Sequence, residues 1–109
     1  MSLIDELRSL GQEINTINRR NGWEVVKPEE WDDSKYKVPA IVALIHSEVS
    51  EALEAYRKND IENFAEEMAD IVIRVLDCTS GLGIDLGSEI LVKLEKNRNR
   101  AHRHGGKTI

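Results

Sequence analysis

The chain is poor in several kinds of residue and pattern, and each scarcity removes a class of protein. Cys78 is its only cysteine, so no disulfide can close within the 109 residues and zinc motifs built on cysteine pairs are excluded. No apolar run approaches the roughly 20 residues that a membrane span needs, so no membrane association is expected. The first residues lack a basic stretch followed by an apolar one, so no signal peptide is expected and the cytoplasm is the expected location. No segment alternates apolar and polar residues as a half-buried strand does, and there are no internal repeats or low-complexity runs. Glu-x-x-His pairs, the hallmark of di-iron bundles, are missing, and His46, His102 and His104 are not spaced to supply them. A phosphate-cradling glycine loop of the Walker type is missing too.

What remains is the material of one helical domain. Its size allows a modest core and lies near the range in which self-association helps. Charged residues make up 32% and hydrophobic residues 40%, an ordinary balance for a globular protein. The net charge of −5 is unevenly spread. Residues 93–109 carry six Lys/Arg and one acid, a net +5, against −10 for residues 1–92. An acidic body of that size argues against a nucleic-acid binder working through its basic end.

Leu3, Leu7, Leu10, Ile14 and Ile17 step by four and three, predicting a helix over about 2–20 with Ser2 as N-cap and Asn21-Gly22 as its stop. Residues 21–38 hold no sustained period and contain Trp23, Trp31 and Tyr36, an aromatic loop. The two tryptophans either cap the open end of a bundle or stack on a nucleobase. Pro39 is expected to open a helix over about 39–58, and Asp60 to cap another over about 60–80. A fourth, over about 86–102, follows Ser80-Gly81-Leu82-Gly83 with Asp85 as cap, and residues 103–109 form a basic tail.

Within this frame one stretch stands out. Glu48 and Glu51 stand three apart on the helix over 39–58, and Glu67 and Asp70 repeat that spacing on the next. A connection as short as Lys58-Asn59-Asp60 makes the two helices an antiparallel hairpin, so both pairs can converge. Glu48 falls in the middle of the apolar stripe formed by Ile41, Leu44, Ile45, Ala52 and Ala55, where an unpaired carboxylate is expensive. An ion pair with Arg74 would satisfy Glu48; metal binding would satisfy it and also use the second acidic pair. Glu67 and Asp70, read alone, lie with Asn63, Arg74 and Asp77 opposite the main apolar arc of Ile61, Phe64, Met68, Val72, Val75 and Leu76. Four carboxylates ionise together only beside cations, and an all-oxygen set suits Mg²⁺, with Mn²⁺ as substitute. Lys93, Asn97 and Arg100 on the last helix form a basic set able to meet phosphate oxygens.

EVSE (Glu48 to Glu51), EEMAD (Glu66 to Asp70) and KLEKNRNR with Lys93, Asn97 and Arg100, taken in that order, resemble the signature of MazG-like all-α nucleoside triphosphate pyrophosphohydrolases, and the RHGGK tail is similar to those of small single-domain members. The resemblance covers roughly residues 38–106. It implies an all-α, four-helix bundle-like MazG-type fold assembled into a homodimer or homotetramer. It also implies Mg²⁺-dependent hydrolysis of a nucleoside or deoxynucleoside triphosphate to the monophosphate and pyrophosphate. By motif match Glu48, Glu51, Glu67 and Asp70 are the metal ligands, with Glu48 or Glu51 assisting the attacking water, and Lys93, Asn97 and Arg100 the phosphate contacts. The alternative is a non-catalytic helical regulatory or assembly module of the same fold.

Overall fold

A computed structural model describes residues 2–100. Ala101 and the whole of the tail from Arg103 lie outside the described residues, as does the far end of the helix expected over 86–102. Among the described residues five helices follow one another: α1 (Leu3–Arg20), α2 (Glu30–Asp33), α3 (Lys37–Arg57), α4 (Ile61–Gly81) and α5 (Leu86–Arg98). The expectation of four helices omitted α2, a single turn within the aromatic stretch. Lys27 N–H donates to Glu30 Oε1 at 2.9 Å, a local closure that periodicity over so few residues cannot reveal.

Local chemistry explains most helix ends. Ser2 Oγ accepts from Asp5 N–H at 3.1 Å, Asp60 Oδ1 from Asn63 N–H at 3.0 Å, and Asp85 Oδ1 from Ser88 N–H at 3.1 Å. Each satisfies one of the four free N–H groups of a first turn, a cap worth about 1 kcal/mol. α1 ends with Gly22 at φ +87°. Trp23 N–H then reaches back to Asn18 O at 2.9 Å, which ties the aromatic segment to the end of α1. Asn59, at φ +55°, does the same for α3, and Asp60 N–H returns to Ala55 O at 2.9 Å. α3 begins at Lys37, two residues before the expected Pro39. Ser34 Oγ accepts from Lys37 N–H at 3.1 Å, and proline, third in the helix, still falls among the N–H positions that lack an intrahelical partner.

α4 is the central element: it packs against α3 in a hairpin on one side and against α1 on the other, and α5 packs mainly on α1. The buried apolar residues are Ile14, Val25, Val26, Ala52, Ala55, Leu76 and Cys78. Two expected apolar faces are corrected by this packing. On α1 the buried line runs through Gly11, Ile14 and Asn15, while Leu3, Leu10 and Ile17 are exposed. On α4 Ile61, Met68 and Val72 are exposed, and the acidic side carrying Glu67 and Asp70 is half-buried. Periodicity identifies an apolar arc without saying which neighbour covers it. Among the described residues no helix is long and apolar enough to cross a membrane.

Candidate metal and ligand site

The hairpin of α3 and α4 brings the two acidic segments together. Glu48, Glu67 and Asp70 each offer a carboxylate oxygen, and the three oxygens lie within 4.8 Å of one another. Glu48 is 8% exposed, between Ile45 and Ala52 on the inner face of α3. Glu51 is exposed and stands outside that trio, yet its carboxylate lies against Glu67.

Two opposite perturbations follow. Arg74 Nε donates to Glu48 Oε1 at 2.9 Å, and this guanidinium holds the Glu48 carboxyl below its ordinary range against the opposing effect of burial. Burial first, then the neighbouring carboxylates of Glu48 and Glu51, push Glu67 up to about 7. Glu67 Oε2 is buried and has no hydrogen-bond partner among the described residues. A buried acceptor without a donor is costly, and here it faces other acceptors. Arg74 neutralises Glu48, and no cationic side chain among the described residues pairs with Glu67. The ion pair weighed against metal binding at Glu48 is therefore present, and it leaves the second acidic pair unbalanced. With no nitrogen or sulfur in the donor set, a hard divalent cation is the species these oxygens fit.

A cleft of about 440 Å³ opens beside the trio. Glu48 and Asp70 line one part of it and Arg74 and Asp77 continue along α4, with Leu44 and Ile73 as apolar wall. Asn18 from the end of α1 and Trp23 from the following segment complete it. Trp23 is 71% exposed, so most of its ring is available to a ligand. Trp31, on α2 and 64% exposed, does not line this cleft. Lys93, Asn97 and Arg100 do not line it either; all three are exposed, and α5 makes no packing contact with α3. The aromatic loop thus contributes one of its two tryptophans to this cleft, and the basic set is not part of its lining.

Asn15 and Asp77 were absent from the candidates drawn from the sequence. Asn15 is 5% exposed, and its amide donates to Asp77 O at 3.1 Å and to Asp77 Oδ1 at 2.7 Å. A signal existed: the polar stripe of Asn63, Glu67, Asp70, Arg74 and Asp77 runs on past the acidic motif at helical spacing. The profile of the family described as MazG nucleotide pyrophosphohydrolase domain matches residues 37–104, which takes in α3, α4 and α5 but not α1 or Trp23. No curated protein and no solved structure matches the chain.

Proposed function

The chain belongs to the MazG nucleotide pyrophosphohydrolase family, and on that premise we propose that it hydrolyses a nucleoside or deoxynucleoside triphosphate to the monophosphate and pyrophosphate with Mg²⁺, as part of nucleotide-pool housekeeping. The observation that carries this reading is the cluster of Glu48, Glu67 and Asp70 beside an open cleft, with Glu67 Oε2 buried and unpartnered among the described residues. A purely structural hairpin gains nothing from such a group, whereas a cation site requires it.

Glu48, Glu67 and Asp70 would hold the metal, and Glu51 would join them from the edge of α3. A divalent cation bound there supplies charge to neutralise phosphate oxygens and lowers the pKa of water. The chain's own residues do the rest. Glu48 or Glu51 takes the proton of the attacking water. Arg74, whose Nε is engaged by Glu48, keeps its two terminal nitrogens for substrate oxygens, where a guanidinium forms strong charge-assisted bonds. Trp23 offers its exposed face to the base.

Lys93, Asn97 and Arg100 do not line the cleft, and on this reading they act as phosphate contacts offered by a second copy of the chain. A homodimer or homotetramer also accounts for two uncovered apolar stripes on the hairpin: Val42, Val49 and Leu53 of α3, and Ile61, Met68 and Val72 of α4. The same preparation should sediment at a multiple of the single-chain mass.

The test is release of pyrophosphate from a panel of NTPs and dNTPs with Mg²⁺ or Mn²⁺. Turnover of at least one nucleotide, abolished by chelator, is expected; no turnover of any of them overturns the reading in favour of a non-catalytic module. A second measurement bears on the cation alone. Between the ordinary carboxylate pKa and about 7, folded Glu67 keeps a proton that the unfolded chain has released. That contribution to stability is present at acid pH and lost as pH rises through about 7. Cation binding requires the deprotonated form. The rise in Tm on adding Mg²⁺ should therefore be small at pH 6 and larger at pH 8; an equal or opposite pattern would contradict the site.

A further inference from the structure

The cleft has an end that the hydrolytic chemistry does not use. Asp77 stands seven residues beyond Asp70 on α4, about two turns and roughly 10 Å along the helix axis. That is the reach of a sugar and base from their first phosphate. Both N–H groups of the buried Asn15 amide are spent on Asp77, one on its main-chain oxygen and one on Oδ1. Holding a carboxylate in one rotamer at a helix–helix contact adds little to packing, since two apolar side chains would fill that space without a polar group to satisfy. Asp77 has no cationic partner among the described residues. Arg74, one turn back, gives its hydrogen bond to Glu48, and Asp77 lies outside the trio that could hold a metal. Oδ2 of Asp77 accepts no hydrogen bond among the described residues, although the side chain lines the cleft with Trp23 and Asn18.

We propose that Asp77, oriented by Asn15, reads the base of the bound nucleotide and selects guanine. This rests on the nucleotide reading of the same cleft. A carboxylate only accepts hydrogen bonds, so it favours a base edge carrying adjacent donors. Guanine alone presents a ring N–H beside an amino group, which a carboxylate can engage with both oxygens. Adenine and cytosine offer one amino group beside an acceptor nitrogen. Uracil and thymine offer one N–H between two carbonyl oxygens that the carboxylate repels. Trp23 stacks on any base and does not discriminate; Asp77 is the specificity determinant.

The experiment compares kcat/KM for GTP and dGTP with that for UTP and dUTP, and in parallel the equilibrium binding of GMP and UMP with Mg²⁺, for the parent and for Asp77→Asn. The parent should favour guanine, and the guanine-to-uracil ratio should fall by roughly 10- to 100-fold in the variant, the range for losing one paired contact to a base edge. Asn15→Ala, which leaves the carboxylate but removes both bonds that orient it, should lower the same ratio by a smaller factor, and it carries the test if Asp77→Asn fails to fold. A parent that prefers uracil, or a ratio unmoved by these variants, overturns the assignment while leaving hydrolysis intact. A parent that turns over no nucleotide but binds GMP in an Asp77-dependent way overturns the hydrolase reading and supports the base assignment. A parent that binds neither monophosphate overturns the assignment.

Discussion

Replacing Glu48 by glutamine should lower kcat/KM for the preferred nucleotide by about 10³-fold, the middle of the range for losing a positioned acid–base group, and should abolish the Mg²⁺-dependent rise in Tm. The substitution keeps the size of the side chain and an oxygen that can still accept from Arg74 Nε, a bond now 2.9 Å long. What it removes is one of the three carboxylates whose oxygens lie within 4.8 Å of one another. Arg74 is well hydrated, with 42% of its side chain exposed, so it is not left as a buried unpaired cation. The metal-free variant should therefore melt near the metal-free parent, and the loss should fall on turnover and cation response. A turnover within twofold of the parent would show that Glu48 serves Arg74 alone, as a structural ion pair. The contrast between an unchanged melting point and a lost response is what separates the two roles.

Replacing Gly81 by alanine should lower Tm by roughly 8–16 °C, which corresponds to about 2 kcal/mol in a domain of this size. Gly81 is the last residue of α4, where the segment after α1 crosses it. A Cβ there would overlap the main-chain oxygen of Val26 and meet Val26 Cγ1 at 2.9 Å and Val25 Cγ1 at 3.0 Å. Both valines belong to the buried core, so neither can swing into solvent, and the backbone oxygen cannot rotate away. The helix-propensity gain of alanine, at most about 1 kcal/mol, offsets part of the strain. Because Val25 and Val26 stand two and three residues after Trp23, the same shift should move the tryptophan and raise KM. Thermal unfolding of the variant checks the first effect and steady-state kinetics the second. A variant as stable as the parent would mean that this crossing is looser than its geometry requires.

Much of the architecture was legible because it is local. Ser2, Asp60 and Asp85 cap helices through bonds to residues three positions on, and Gly22 and Asn59 end them by turning the chain so that the next residue's N–H reaches five positions back. Short-range chemistry of that kind leaves a mark in the order of residues. The three-residue spacing of Glu48 with Glu51, and of Glu67 with Asp70, is equally local, and the placement of Glu48 amid apolar neighbours marks it as anomalous in the sequence itself. α2 escaped because a single turn has no period to detect.

The sequence by itself determined the all-α class, the main helices and the acidic pair on each arm of the hairpin. The tertiary structure alone decided which atoms meet. Arg74 pairs with Glu48 across 26 residues, and Asn15 with Asp77 across 62. It also decided that Trp23 rather than Trp31 borders the cleft, that Met68 and Val72 are exposed, and that Lys93 and Asn97 do not line the cleft. Periodicity specifies a helix face only to within a broad arc, whereas a hydrogen bond depends on a few tenths of an ångström. The rotation of each helix against its neighbours closes that gap, and it is set by the packing of the whole domain.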